Sequence, residues 1–193
     1  VGPVVALAYT WELLLDPYSG TLNNLLFNFQ VIQEPLNLLG QKYLTINFFG
    51  FDLKLRLALT TVIIFEIWRY FPLAFLFILA RLQAIPKELY EAADVDGAGP
   101  VQKFVSITLP QITAVISILF MIRFIWNFNK FEDIFLLTGG ASGTRTLPIN
   151  VYEQGFTISD IVLGSAVSIV IVALLLIFMF VYFRLLGKRA DEN

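Results

Sequence analysis

The stretch from Glu91 to Pro110 reads EAADVDGAGPVQKFVSITLP, a polar segment set between two long apolar runs. Its framework is Glu91-Ala92-Ala93, then Gly97 after three intervening residues, then Ile107-Thr108-Leu109-Pro110 after nine more. A glycine in this position is typical of a helix C-terminus, where the backbone turns to positive φ. We therefore expect a short helix that ends near Gly97 and a second short helix that begins at Gly99-Pro100.

The composition of the whole chain indicates a membrane protein. Hydrophobic residues make up 58% of the 193 residues, charged residues make up 15%, and the mean hydropathy is +0.76. A soluble globular chain carries roughly a quarter charged residues. Most of this chain must therefore be shielded from water.

The predicted membrane spans follow from the positions of the long apolar runs. A spanning helix needs about 20 mostly apolar residues, and the stretches 60–81, 107–127 and 161–183 meet that length. The run near 1–15 is too short to cross alone, and we interpret it as the outer end of a helix that starts before Val1. Residues 190–193 are expected to form a tail.

The chain lacks two residue types on which many active sites depend, and their absence excludes several kinds of catalytic chemistry. The chain has no histidine and no cysteine, so it offers neither the commonest general base nor a thiolate nucleophile. No metal site is expected, and no G-x-x-x-x-G-K-[ST] phosphate-binding loop occurs. The net charge of −2 contains no block of one sign, which argues against a nucleic-acid partner.

The framework of Glu91–Pro110 resembles the EAA loop of binding-protein-dependent ABC importers. In that family the loop is the cytoplasmic element through which a membrane subunit contacts its ATPase. The preceding residues, Leu82 to Tyr90 (LQAIPKELY), are similar to the sugar-importing branch. The resemblance implies an all-α polytopic helical bundle of the type I ABC importer permease fold that lacks its N-terminal spans. It implies one transmembrane domain, 1–189, with its EAA loop at 82–106.

The resemblance also implies roles for individual residues and for partners. Glu91, Ala92, Ala93 and Gly97 would dock in a cleft on the ATPase, while Ile107, Leu109 and Pro110 would fix the connection to the membrane helix. The implied partners are separate ABC ATPase subunits that use ATP and Mg, a second permease subunit (identical or not), an extracytoplasmic solute-binding protein and membrane lipid. The chain itself would bind no cofactor and would not be an enzyme. The implied location is a bacterial or archaeal inner membrane.

A cytoplasmic 82–106 segment sets the expected topology. Residues 16–56 and 129–160 would then lie outside, and the tail inside, in agreement with the positive-inside rule at the end of the last span. The second outer segment contains LLTGGASGTRTLP (residues 136–148). Because this stretch is rich in Gly, Ser and Thr, we expect it to be exposed and to pack no core.

Four polar residues in or beside the spans are candidates for the solute path: Glu66, Arg69, Arg123 and Asn127. A charge at the bilayer centre costs about 2.5–3.5 kcal/mol, so such residues usually face a cavity or a partner. Glu66 and Arg69 are three residues apart and are able to pair with each other. A structural ion pair, or an Arg123 that extends to the membrane interface, is the alternative to solute contact.

Other functions remain open at this stage. The main alternative is an ABC permease for a different solute, such as an amino acid, a peptide or an oxyanion. An ion-coupled secondary transporter would account for embedded charges but not for the EAA framework. An intramembrane enzyme, or a subunit that serves only in assembly, is the third possibility, and the lack of histidine and cysteine weakens its enzymatic form.

Overall fold

The computed structural model describes residues 3–48 and 51–191, so the last two residues of the expected tail, 192 and 193, lie outside it. Helices dominate the described chain, which confirms the predicted fold class. In chain order the elements are α1 (Val4–Leu15), α2 (Thr21–Asn28), strands β1 (Leu44–Phe48) and β2 (Phe51–Leu55), α3 (Leu57–Gln83), α4 (Lys87–Val95), α5 (Pro100–Lys103), α6 (Leu109–Phe128), α7 (Glu132–Thr138), α8 (Leu147–Tyr152) and α9 (Ile161–Asp191). π-Helical turns at Phe104–Thr108 and Glu153–Thr157 follow α5 and α8.

In the part of the chain that the structure describes, three helices are long and apolar enough to cross a membrane. They are Leu57–Gln83, Pro100–Phe128 and Ile161–Arg184. At most 11% of the most apolar part of each helix is buried within the chain. A folded protein in water does not expose apolar surface on this scale, so lipid or other chains must cover these helices. The protein is therefore a multi-pass membrane protein.

The second of these helices differs from the predicted pattern of a short helix followed by a separate span. The chain is helical without a break from Pro100 to Phe128, and the π-helical turn Phe104–Thr108 lies just before Pro110. Proline lacks an N–H and its ring clashes with the carbonyl four residues earlier. The wider π turn accommodates this proline, so the end of the polar segment and the span form one continuous helix.

The antiparallel hairpin of β1 and β2 was not predicted. Its register pairs Leu44 with Leu55 and Ile46 with Leu53. Both strands alternate apolar and polar residues, as LTINF and FDLKL, which is the period of a strand with two different faces. The signal is present in the sequence, although the two segments are too short to stand out among long apolar helices.

The described chain packs as two compact units, one of residues 66–126 and the other of the residues before 66 and after 126. The second unit contains a buried core of Ala8, Val62, Phe65, Ile134, Leu137 and Ile149. Trp11 extends this core, because the edge of its ring meets Phe65 with centroids 5.3 Å apart. Apolar packing thus holds together α1, α7, α8 and the start of α3 as far as Phe65.

The Asp16 side chain holds the turn after α1, and the Asn23 side chain holds the segment that follows α2. The Asp16 carboxylate accepts hydrogen bonds from the Ser19 N–H at 2.7 Å, the Ser19 hydroxyl at 2.8 Å and the Tyr18 N–H at 3.0 Å. These bonds, with those of Ser19 foremost, lower the pKa of Asp16. Asn23 is buried and exchanges hydrogen bonds with the backbone of Leu36 at 2.9 and 3.0 Å. A single amide side chain therefore ties α2 to the segment that follows it.

The expectation that residues 136–148 pack no core is wrong. Leu137 is part of the core, and Thr144 is only 3% exposed. The Thr144 and Thr138 hydroxyl oxygens lie 2.6 Å apart, and the Thr144 hydroxyl also donates to the carbonyl of Ala141 at 2.7 Å. Threonines that satisfy each other's hydroxyl groups are able to enter a core that composition alone would assign to solvent.

We expect Gly164→Val to destabilise the second unit. A Cβ at Gly164 would lie 3.2 Å from the backbone nitrogen of Gly155 and 3.3 Å from the carbonyl oxygen of Val151. Since both neighbours are backbone atoms, α9 has to move away, at a cost of about 1–3 kcal/mol. Thermal unfolding of the purified protein in detergent measures this loss. Gly155→Ala is the matched control, because a Cβ there meets nothing within 4 Å, and equal midpoints for the two variants would contradict the prediction.

Candidate functional site

The segment 82–106, which we call the hinge, contains a helix closed by a left-handed glycine. Helix α4 ends at Val95, and Gly97 takes φ of +72°. The Ala98 N–H donates to the Ala93 carbonyl at 2.8 Å, and the Gly97 N–H donates to the Asp94 carbonyl at 3.1 Å. This pair of bonds is the Schellman motif, which satisfies carbonyl groups at a helix end. The predicted role of Gly97 as a helix-ending glycine is confirmed.

The hinge helix presents its side chains outward. None of the nine residues of α4, all of which the structure describes, is buried. Glu91 and Ala92 are exposed and Ala93 is half-buried, while Val95 is 88% exposed. A small alanine surface beside an exposed valine gives a slim, partly apolar helix that leaves room for a partner surface to approach.

The other three predicted coupling residues lie where the hinge enters the membrane helix. Ile107 belongs to the π-helical turn and is half-buried, while Leu109 and Pro110 are exposed in the first turn of α6. They are separated from α4 by the turn at Gly97 and by α5. The structure therefore divides the seven predicted coupling residues into those of the exposed hinge helix and its terminal turn and those at the attachment to the span.

Polar side chains form contacts within the hinge, between the hinge and a span, and between the two flanking spans, and the sequence did not reveal these contacts. The hydroxyl oxygens of Tyr90 in α4 and Thr108 in the π turn lie 2.8 Å apart. Arg81, in the last turn of α3, donates from Nε to the Gln111 carbonyl at 3.0 Å and from Nη2 to the Gln111 side-chain oxygen. Lys103 pairs with Asp94. Each of these residues has hydrogen-bonding capacity at the edge of an apolar run, but the sequence does not indicate which ones meet.

Two of the four candidate path residues form an ion pair between α3 and α6. The Arg123 guanidinium lies 3.1 Å from the Glu66 carboxylate, with their side chains 25% and 14% exposed. The Arg123 Cζ also lies 3.6 Å from the centroid of the Tyr70 ring, and the Trp126 ring is 5.9 Å from that of Tyr70. We call Glu66, Tyr70, Arg123 and Trp126 the Glu66 cluster. Arg123 thus turns toward a carboxylate and an aromatic face rather than extending to the membrane interface.

The remaining path candidates are placed differently. Arg69 lies one residue before Tyr70, with its Cζ 5.1 Å from the Tyr70 centroid. Asn127 is exposed at the end of α6 and belongs to the other compact unit. Within residues 3–48 and 51–191, no group of three or more His, Cys, Asp or Glu side chains is arranged to hold a metal ion.

Comparison with known proteins identifies similar chains in sequence and in structure. The inner membrane ABC transporter permease protein YcjO of Escherichia coli (strain K12) is 35% identical over all 193 residues, which cover 59% of YcjO. The trehalose/maltose transport system permease protein MalF of Thermococcus litoralis is 34% identical over 98% of this chain and 59% of MalF. A crystallised bacterial alginate ABC transporter, in complex with alginate pentasaccharide-bound periplasmic protein, matches 94% of this chain and 59% of its own with a TM-score of 0.76 and 25% identity.

The chain thus spans about three fifths of the length of these relatives. YcjO and MalF are named as transport permeases and not as enzymes, in agreement with the sequence-based expectation. The family model described as "Binding-protein-dependent transport system inner membrane component" matches residues 4–192. The match therefore includes the hinge and all three long helices, and the chain belongs to this family of binding-protein-dependent transport system inner membrane components.

Proposed function

We propose that this chain belongs to the permease subunit of an ATP-driven ABC importer and helps to form the path for a sugar or a related solute. The observation that carries the proposal is the hinge. An unburied helix, closed by a positive-φ glycine, leads directly into a membrane helix. An exposed helix that is joined to a membrane span offers a surface through which a separate ATPase could move that span.

The proposed coupling is mechanical. Glu91, Ala92 and Ala93 would dock in a cleft of the ATPase, and Gly97 would set the direction in which the chain leaves that cleft. When ATP and Mg bind to the ATPase and its subunits close, the docked helix is displaced. The displacement passes through Ile107, Leu109 and Pro110 into α6, which changes the side of the membrane to which the solute path opens.

The choice of a sugar-type solute rests on the names of relatives. Besides MalF, the sulfoquinovosyl glycerol transport system permease protein SmoG of Agrobacterium fabrum is 34% identical over 96% of the chain. The first part of the hinge, Leu82–Tyr90, resembles the same branch. We propose Glu66, Arg69, Arg123 and Asn127 as polar residues of the solute path. Among them, Glu66 and Arg123 form an ion pair.

The proposed assembly contains ABC ATPase subunits, a second permease subunit, which is either a second copy or a related chain, and an extracytoplasmic solute-binding protein. ATP and Mg would bind only to the ATPase. In this arrangement the hinge faces the cytoplasm of a bacterial or archaeal cell. Residues 129–160 lie on the outer side of the inner membrane, where the solute-binding protein delivers its cargo.

A cysteine crosslink tests the contact with the ATPase. The chain has no cysteine, and Val95 is 88% exposed on the hinge. We expect Val95→Cys, in the full-length permease assembled with its ATPase, to crosslink to a cysteine beside the ATPase cleft, and ATP to change the yield. Val162→Cys is the matched control, because Val162 is 81% exposed at the start of α9, on the proposed outer side.

The outcomes separate the proposed function from its alternatives. No crosslink from position 95, or an equal crosslink from position 162, would contradict docking through the hinge. Solute uptake into vesicles with collapsed ion gradients must require ATP. Uptake that follows an imposed ion gradient without ATP would instead identify a secondary transporter.

A further inference from the structure

An exposed hinge helix raises a physical question about how its displacement reaches the spans. Helix α4 has no buried residue among Lys87–Val95, all of them described, so apolar packing along its own length holds it only weakly. Ile85, two residues before it, is buried but lies in the connection to α3 and not to α6. Its chain connection to α5 consists of residues 96–99 and includes two glycines. Covalent connection alone would let α4 swing about Gly97 without moving α6.

The hydroxyl pair of Tyr90 and Thr108 provides the missing link. Their oxygen atoms are 2.8 Å apart although the residues are 18 positions apart in sequence. Both side chains are half-buried, which limits the competition from water for this bond. Tyr90 lies in the middle of α4, and Thr108 is the last residue of the π turn that opens into α6. The bond therefore joins the docking helix to the base of the span and bypasses the Gly97 turn.

The other two connections have different strengths and positions. The Asp94–Lys103 ion pair joins α4 to α5, but the Asp94 side chain is 62% exposed, and exposed ion pairs contribute little. The Arg81–Gln111 bonds are half-buried and charge-assisted, so they are stronger. They join α3 to α6 directly and do not include α4. Of the three links, the Tyr90–Thr108 bond is the half-buried one that attaches α4 to a span.

We infer that Tyr90 is a positioning residue for energy coupling: its bond to Thr108 makes α4 and the base of α6 move together. The inference rests on the proposed function, since it assumes that an ATPase displaces α4. Arg81 and Gln111 then pass the movement from α6 to α3. Loss of the Tyr90 hydroxyl should leave the docking surface intact, because Glu91, Ala92 and Val95 do not take part in the bond.

The test uses the full-length permease, assembled with its ATPase in vesicles that contain or omit the solute-binding protein. Solute imported per ATP hydrolysed is the main measurement. We expect Tyr90→Phe and Thr108→Val each to lower this ratio roughly fivefold, the factor that one net hydrogen bond supplies. The double variant should fall no further than either single one, because both remove the same bond. Thr108→Ser keeps a hydroxyl and should keep the ratio of the unmodified protein.

Two controls separate a coupling defect from loss of structure or of docking. The amount of assembled transporter and its thermal midpoint should match those of the unmodified protein. The crosslink from Val95→Cys to the ATPase should form with equal yield in the Tyr90→Phe background.

A normal ratio of solute imported to ATP hydrolysed in Tyr90→Phe, or additive losses in the double variant, would overturn the inference while leaving the proposed function in place. Absence of the Val95 crosslink in the unmodified background would overturn the proposed function itself.

Discussion

Replacing Gly97 with valine should reduce ATP-driven uptake by a factor of ten or more while the protein still inserts in the membrane. Gly97 takes φ of +72°, a left-handed conformation that costs an ordinary residue about 1–2 kcal/mol and is rarer still for a β-branched one. A Cβ at this position meets no atom within 4 Å. The penalty therefore comes from the backbone alone and cannot be relieved by repacking.

We expect the chain in this variant to leave the end of α4 in a different direction from that in the unmodified protein. Valine favours negative φ, which would break the Ala98–Ala93 and Gly97–Asp94 backbone bonds that close the helix. The docking residues would remain present but would no longer keep their angle to the span. Uptake and ATP hydrolysis, both measured in vesicles with the full-length permease and its ATPase, should show hydrolysis that persists without import.

Two control variants isolate the effect of positive φ. Gly97→Asn should retain most of the uptake, because asparagine tolerates the left-handed region. Gly99→Ala should also be nearly neutral, since Gly99 has φ of −72° and open space around it. Normal uptake by Gly97→Val at full expression would show that the turn does not set the coupling geometry.

The hinge and the spans were predictable from the sequence for different reasons. Hydropathy alone placed three apolar runs, because lipid requires about 20 consecutive apolar residues, and a long helix covers each run. Gly97 was predictable because few residues accept its conformation. The upstream extension of the span to Pro100 was not predictable in the same way, since the π turn before Pro110 continues a helix through residues that are partly polar.

The contacts between elements were not predictable from periodicity. Periodicity gives the face of a helix on which a residue lies, but not the neighbouring helix that this face meets. Glu66 and Arg69 share a face, so pairing within α3 was the interpretation that the sequence allowed. The structure shows Arg123, 57 residues away, as a partner of Glu66, and periodicity within α3 gives no sign of that contact. The Tyr90–Thr108 bond was missed for the same reason, because neither hydroxyl is unusual in isolation.

The second large effect is expected for Glu66→Ala, which leaves the Arg123 guanidinium without the carboxylate 3.1 Å away. Breaking a fully buried ion pair from one side costs about 3–5 kcal/mol, because one charge stays desolvated. The Glu66–Arg123 pair is only partly buried, with side chains 14% and 25% exposed, so its loss should cost less than that. The Tyr70 ring still faces Arg123 at 3.6 Å, but a cation–π contact offsets only part of that loss. We expect a clearly lower thermal midpoint in detergent and strongly reduced uptake.

A double variant separates the structural role of this pair from contact with solute. Removal of both charges in Glu66→Leu with Arg123→Met leaves no arginine facing a missing carboxylate, and replacing an ion pair with apolar residues of similar volume is often nearly neutral for stability. We expect its thermal midpoint to return close to that of the unmodified protein, whereas uptake should stay low if the Glu66 cluster lies on the solute path. If both the thermal midpoint and the uptake recover, the pair serves only to hold α3 against α6 and does not contact the solute. The Val95→Cys crosslink should persist in all of these variants, since the hinge helix takes no part in the cluster.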